Sequence, residues 1–111
     1  MPKVKKNDPK GEAGAKKTPL HLVPPSGKAA VAKVMSLGAD KYGPWNWRES
    51  DNVCASTYVG AINRHLDAWW SGELIDPESG VSHLAHIAAS CMILIDAQIY
   101  DKLDLDLPPS T

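Results

Sequence analysis

Arg64 and His65, the carboxylates Glu73, Asp76 and Glu78, and the pair His83 and His86 form the densest set of chemically able side chains in the sequence. Imidazole and carboxylate together suit a divalent transition metal or general acid–base work. His83 and His86 stand three residues apart, which places both on one face of a helix. An HxxH pair is a weaker metal signature than HExxH. Histidines that cap helix ends and pair with neighbouring acids use the same residue types, so a structural role stands beside the chemical one. A second set, Lys41, Tyr42, Trp45, Asn46, Trp47 and Arg48, interleaves aromatics, an amide and cations. Such a set can stack a planar base, read its edge and hold a phosphate by charge. The same tryptophans can instead plug the end of a small domain, with Lys41 and Arg48 solvated. Trp69 and Trp70 suit a core or an interface better than a ligand site.

Positioning these side chains requires few elements. The 111 residues, 12.0 kDa, allow one small domain. Residues 1–19 are Lys-, Gly- and Pro-rich, nearly free of large apolar side chains, and are expected to be a flexible tail. Leu20 to Val23 reads as a short extended segment halted by Pro24 and Pro25. A first helix is expected from an N-cap at Ser26 to about Leu37, stopped by Gly38. Residues 38–52 read as a loop. A second helix is expected from Asn52 or Val53 to Ser71, with Ala55, Tyr58, Val59, Ile62, Leu66 and Trp69 at helical spacing and Gly72 ending it. An acidic connection over 72–82 leads to a third helix that starts between Asp76 and Ser82 and ends near Tyr100. The chain from Asp101 onward is expected to fray.

The architecture this predicts is all-α, a small bundle of three main helices over residues 20–104, with a flexible terminus over 105–111. An antiparallel pairing of helices two and three brings His65, the turn carboxylates and the His83/His86 pair to one end. The third helix is apolar over most of its circumference between residues 84 and 99. A helix apolar all round must be buried all round, and two companion helices hardly suffice. The chain is therefore expected to form a homo-oligomer through this helix.

Charge and composition narrow the function. Residues 1–19 hold six Lys against Asp8 and Glu12, while the remainder holds six basic and eleven acidic residues. An acidic folded part argues against sequence-specific nucleic-acid binding. No apolar run approaches the roughly 20 residues that span a bilayer, and no signal-peptide core is visible, so no membrane partner is expected. Cys54 and Cys91 make neither a disulfide framework nor a CxxC zinc signature. A reduced, cytoplasmic protein is the expectation.

Leu22 to Pro25, Gly38 to Gly43, Asn46-Trp47-Arg48, Tyr58, Ala61, Arg64-His65-Leu66, Ala68-Trp69, Gly72-Glu73, Asp76 to Gly80 and His83-Leu84-Ala85-His86 together resemble a phage-associated family. It is the small domain known as dATP/dGTP diphosphohydrolase, N-terminal, and the similarity covers about residues 20–98. The resemblance implies a helical nucleotide-handling protein akin to the MazG-like all-α pyrophosphohydrolases. Those enzymes hold Mg²⁺ with helical ExxE and ExxD carboxylates, as a hard cation prefers oxygen. This chain has no ExxE, its Glu73-x-x-Asp76 lies in a turn, and His83-x-x-His86 occupies the helical position. Three outcomes stay open: a softer metal, oxygens supplied by the turn, or nucleotide binding without hydrolysis.

The function expected is conversion of a purine deoxynucleoside triphosphate (dGTP or dATP) to monophosphate and pyrophosphate, with Mg²⁺ or Mn²⁺ as cofactor. Glu73, Asp76, Glu78, His83 and His86 are the candidate catalytic and metal residues. Lys41, Tyr42, Trp45, Asn46, Trp47, Arg48, Arg64 and His65 are the candidates for holding substrate. The alternative is a non-catalytic phage protein that sequesters a nucleotide signal of host defence.

Overall fold

The fold is all-α, as the helical spacing predicts, in a computed structural model that describes residues 8–49 and 53–110. Helix α1 spans Pro9–Ala15, α2 Pro25–Tyr42, α3 Asn46–Glu49, α4 Ala55–Trp70 and α5 His83–Ile99; two short strands, β1 Val53–Cys54 and β2 Leu103–Asp104, pair in parallel. Within the stretch expected to be a loose tail, residues 1–7 lie outside the described ones. Pro9–Ala15 is helical, started by Pro9 and by the Asp8 side chain accepting from Gly11 N–H at 3.0 Å. None of its residues is buried.

Several boundaries differ from expectation; α4, for one, starts at Ala55 rather than at Asn52 or Val53, because Val53 and Cys54 pair with β2. Leu20–Leu22 is a 3₁₀ turn rather than extended. Helix α2 begins one residue before Ser26, because Pro25 has its φ preset and no N–H to satisfy. It also runs through Gly38 and stops at Gly43, whose φ of 89° provides the left-handed exit that Gly38 is not asked to make. The expected loop over 38–52 therefore holds the last turn of α2 and the single turn α3, and its Asn52 end lies outside the described residues. Between the two helices Trp45 takes a φ of 60°, unusual for a bulky side chain.

Helix α4 ends at Trp70, with Ser71 as its C-cap, in a Schellman arrangement around Gly72: the Gly72 N–H donates to Trp69 C=O and the Glu73 N–H to Ala68 C=O, both at 3.0 Å. Ser82 caps α5 by accepting from Leu84 N–H at 3.1 Å. Fraying after Asp101 is not what the chain does over 103–106. Leu103 and Asp104 pair with Val53 and Cys54, and Asp106 accepts from the Ser56 N–H at 2.9 Å and from the Ser56 hydroxyl, capping α4 from a remote segment.

Packing centres on α5. Ala85, Ala89 and Ala97 are buried along it, and their small side chains let α2 and α4 approach closely. Trp47, Val53 and Ala97 form a core with Met35, Tyr58, Ile93 and Leu103 packed around it. Leu84, Met92, Ile95 and Ile99 lie on another face of α5 and are exposed in the single chain. No helix among the described residues is long and apolar enough to cross a membrane.

Asp96 ties the α3 turn to α5. It accepts from Trp47 Nε1–H at 2.7 Å and from Arg48 Nε and Nη2 at 2.8 Å each, a bidentate pair. Those hydrogen bonds, Arg48 first and Trp47 second, hold the Asp96 carboxyl down at about 2. The unfolded chain titrates near 3.9, so this contribution to stability is complete above that value and disappears as pH falls toward 2. Asp96→Asn is expected to lower the melting temperature at pH 7 and to flatten its fall between pH 4 and pH 2. Melting curves of both proteins over that range check it.

Candidate functional site

The antiparallel α4–α5 pair brings His65, the turn 73–82 and the first turn of α5 to one end of the bundle. The turn is shaped by its own polar groups. Asp76 N–H donates to Val81 C=O at 2.9 Å, and Gly80 N–H donates back to Asp76 C=O at 2.7 Å, with Gly80 at a φ of 72°. The Asp76 carboxylate accepts from the Glu78 N–H at 3.2 Å and from the Ser79 hydroxyl at 2.9 Å. Ser79 Oγ also lies 2.7 Å from His86 Nε2, and His86 Nε2 is 3.3 Å from Asp76 Oδ2.

His65 stacks on His86 with ring centres 4.5 Å apart and planes 6° from parallel. Its Nδ1 is 2.8 Å from Nδ1 of the buried His83, whose Nε2 is 2.8 Å from Glu73 Oε1. His65, Asp76 and His86 each offer one ligand atom, all within 4.8 Å of one another. Two imidazoles and a carboxylate form a borderline donor set that fits Mn²⁺ or a similar transition ion better than the hard Mg²⁺. Electrostatics suit ligation. Burial, then the neighbouring His86 and His83, push His65 below the ordinary imidazole value, with Asp76 pulling partly back. Burial does the same to His86, against the pull of Asp76. Both rings are thus disposed to be neutral, the form that binds a metal. Burial works on Asp76 in the opposite sense. The Ser79 hydroxyl, the Glu78 N–H and the histidines outweigh it and keep the carboxyl below its usual value.

Next to this cluster a cleft of about 650 Å³ runs between α2, α3 and α5. Its wall passes from Trp45 and Trp47 over Met35, Tyr42, Tyr58 and Ile93 to His86. A volume of this order holds a molecule of several hundred daltons.

The expected residues divide accordingly. Asp76, His65 and His86 form the cluster, with Glu73 and His83 directly behind it. Glu78 is on the exposed side of the turn, 4.0 Å from Lys41 Nζ. Tyr42, Trp45 and Asn46 line the cleft. Trp47 and Arg48 are engaged by Asp96, and the Arg48 guanidinium lies 4.5 Å from the Trp45 ring centre and 4.0 Å from that of Tyr100. Arg64 is exposed, its guanidinium over Gly60. Ser79 and Asp96 were not expected. The spacing Asp76-x-x-Ser79 is an Asx-type turn signal that could have located the first; nothing local marks the second.

The family model for dATP/dGTP diphosphohydrolase, N-terminal, matches residues 7–106. The chain belongs to this family. A protein of Salmonella phage PMBT28 named dATP/dGTP diphosphohydrolase is 32% identical over 78 residues, 70% of this chain and 26% of that protein. The chain thus spans about a quarter of the length of this relative. No solved structure matches it. The family match takes in α1 through β2, so the cleft and the His65–Asp76–His86 cluster both lie inside the matched segment.

Proposed function

We propose that the cleft and the cluster are one site, which binds a purine deoxynucleoside triphosphate together with a divalent metal and releases monophosphate and pyrophosphate. The observation that carries this is His86, which lines the cleft and also belongs to the metal-competent triad. The relative's name, dATP/dGTP diphosphohydrolase, supports the substrate.

The base enters the apolar end of the cleft, where Trp45, 56% exposed, offers a ring face, and Tyr42 and Asn46 stand beside it. The triphosphate extends toward the start of α5, where the positive end of the helix dipole favours an anion, and Lys41 adds its charge. His65, Asp76 and His86 hold the metal, which, when bound, polarises phosphoryl oxygens and makes water easier to deprotonate. Glu78 takes the proton of the water that attacks the α-phosphorus, and pyrophosphate leaves as the α–β oxygen bond breaks. The chain works as an oligomer in the host cytoplasm, its exposed α5 stripe buried against a second copy.

The two loop tryptophans differ in burial, Trp45 being exposed and Trp47 buried. Trp45→Leu is expected to weaken nucleotide binding about 5- to 150-fold, the equivalent of roughly 1–3 kcal/mol of base stacking, and to remove the quenching of fluorescence by nucleotide. Trp47 is buried and bonded to Asp96, so Trp47→Leu is expected to lower the melting temperature instead. Fluorescence titration and melting of both variants check this.

Binding without hydrolysis is the second reading, favoured by the single carboxylate in the triad. A panel of nucleoside triphosphates with Mg²⁺ and Mn²⁺, followed for pyrophosphate release and thermal shift, decides between them. Release selects the hydrolase, shift without release selects the binding protein, and neither removes both.

A further inference from the structure

Trp45 lines the cleft with a largely exposed ring, on a backbone that bulky residues avoid: its φ is 60°, in the left-handed region. A conformation of that kind persists only where the surroundings hold it. Arg48 holds it twice. The Arg48 N–H donates to Trp45 C=O at 3.0 Å, and the guanidinium lies over the Trp45 ring, 4.5 Å from its centre. The ring of Trp47 is the second neighbour, tilted by 45° with its centre 5.4 Å away. One carboxylate fastens both neighbours, since Asp96 accepts from Trp47 Nε1–H and from two nitrogens of Arg48. Tyr100, four residues after Asp96 and so on the same side of α5, puts its ring centre 4.0 Å from the guanidinium.

We propose that Asp96, Arg48 and Tyr100 are positioning residues, a mount on α5 that holds the Trp45 indole in place as a preformed stacking platform for the base. What the platform takes rests on the nucleotide reading above; the mount itself follows from the contacts. A planar guanidinium paired two-pronged with a carboxylate stacks on a ring at little further loss of freedom, which a lysine cannot match. A ring already held still spares the ordering cost that binding would otherwise meet. Arg48 then serves the base end of the ligand, through Trp45, rather than phosphate.

The chain has four tryptophans, so the indole N–H signal of Trp45 is assigned in ¹⁵N-labelled protein by its loss in Trp45→Leu. Without nucleotide, its ¹H–¹⁵N heteronuclear NOE is expected to match that of the α5 backbone and to fall in Arg48→Lys and in Tyr100→Leu. The second variant leaves the Asp96–Arg48 pair intact, so the fold is kept. A mobile indole in the wild-type protein, or one equally rigid in both variants, overturns the mount. Affinity for dGTP, measured by calorimetry, is the second arm. Arg48→Lys, which keeps the charge, and Tyr100→Leu are each expected to weaken it about 2- to 12-fold. Neither should cost anything further when added to Trp45→Leu. The same loss with and without Trp45 assigns these residues to the ligand itself and overturns the proposal, as does no loss in either background. Unchanged dGTP affinity in Trp45→Leu overturns the stacking reading and the positioning role with it.

Discussion

Asp76→Asn is expected to lower nucleotide hydrolysis by more than about 100-fold in a protein that still folds. Losing an outer partner of a metal ligand costs about 10- to 100-fold, and Asp76 is itself the one carboxylate of the triad. The amide removes the negative charge that balances a divalent ion, yet it keeps an acceptor oxygen for the Glu78 N–H that shapes the turn. Pyrophosphate release at saturating Mn²⁺, measured beside a melting curve, checks the effect. An unchanged rate removes Asp76 from the site; an early melt with a normal rate in the folded fraction makes it a turn-former.

Ile95→Asp is expected to convert an oligomer into single folded subunits. Ile95 is 59% exposed and lies with Leu84, Met92 and Ile99 on the uncovered face of α5. Burying one such side chain contributes about 1.5–3 kcal/mol, or roughly 10- to 150-fold in association, and the carboxylate adds a desolvation cost in each copy. Ile93→Asp should behave differently. Ile93 packs against the Trp47–Val53–Ala97 core, so the subunit itself should unfold. Light scattering with circular dichroism distinguishes the two, and a well-folded wild-type monomer of 12.0 kDa would end the argument.

Where periodicity is strong the sequence could be read closely. The α4 and α5 patterns, the Gly72 stop and the clustering of His65 with the turn and the His83/His86 pair all follow from helical spacing and a short connection. Gly38 and Gly43 show where such reading ends. Both are plausible stops, and only the tertiary path shows which one takes the positive φ. Remote partners leave no local trace. Arg48 looked available for phosphate because Asp96, 48 residues away, is joined to it only by the fold. Asp106 looked like part of a loose tail because the helix end it caps lies 50 residues back. Within the cluster, the residue types implied metal or acid–base chemistry, while which of them come within reach of one another depends on the fold.

The affinity of the protein for dGTP with and without Mn²⁺, measured by titration calorimetry, tests most directly whether cleft and cluster are one site. Wild type is expected to bind at least about tenfold more tightly with the metal, some 1.4 kcal/mol, and His86→Gln to lose that gain. The same affinity with and without Mn²⁺ in the wild-type protein would contradict a single metal-linked nucleotide site.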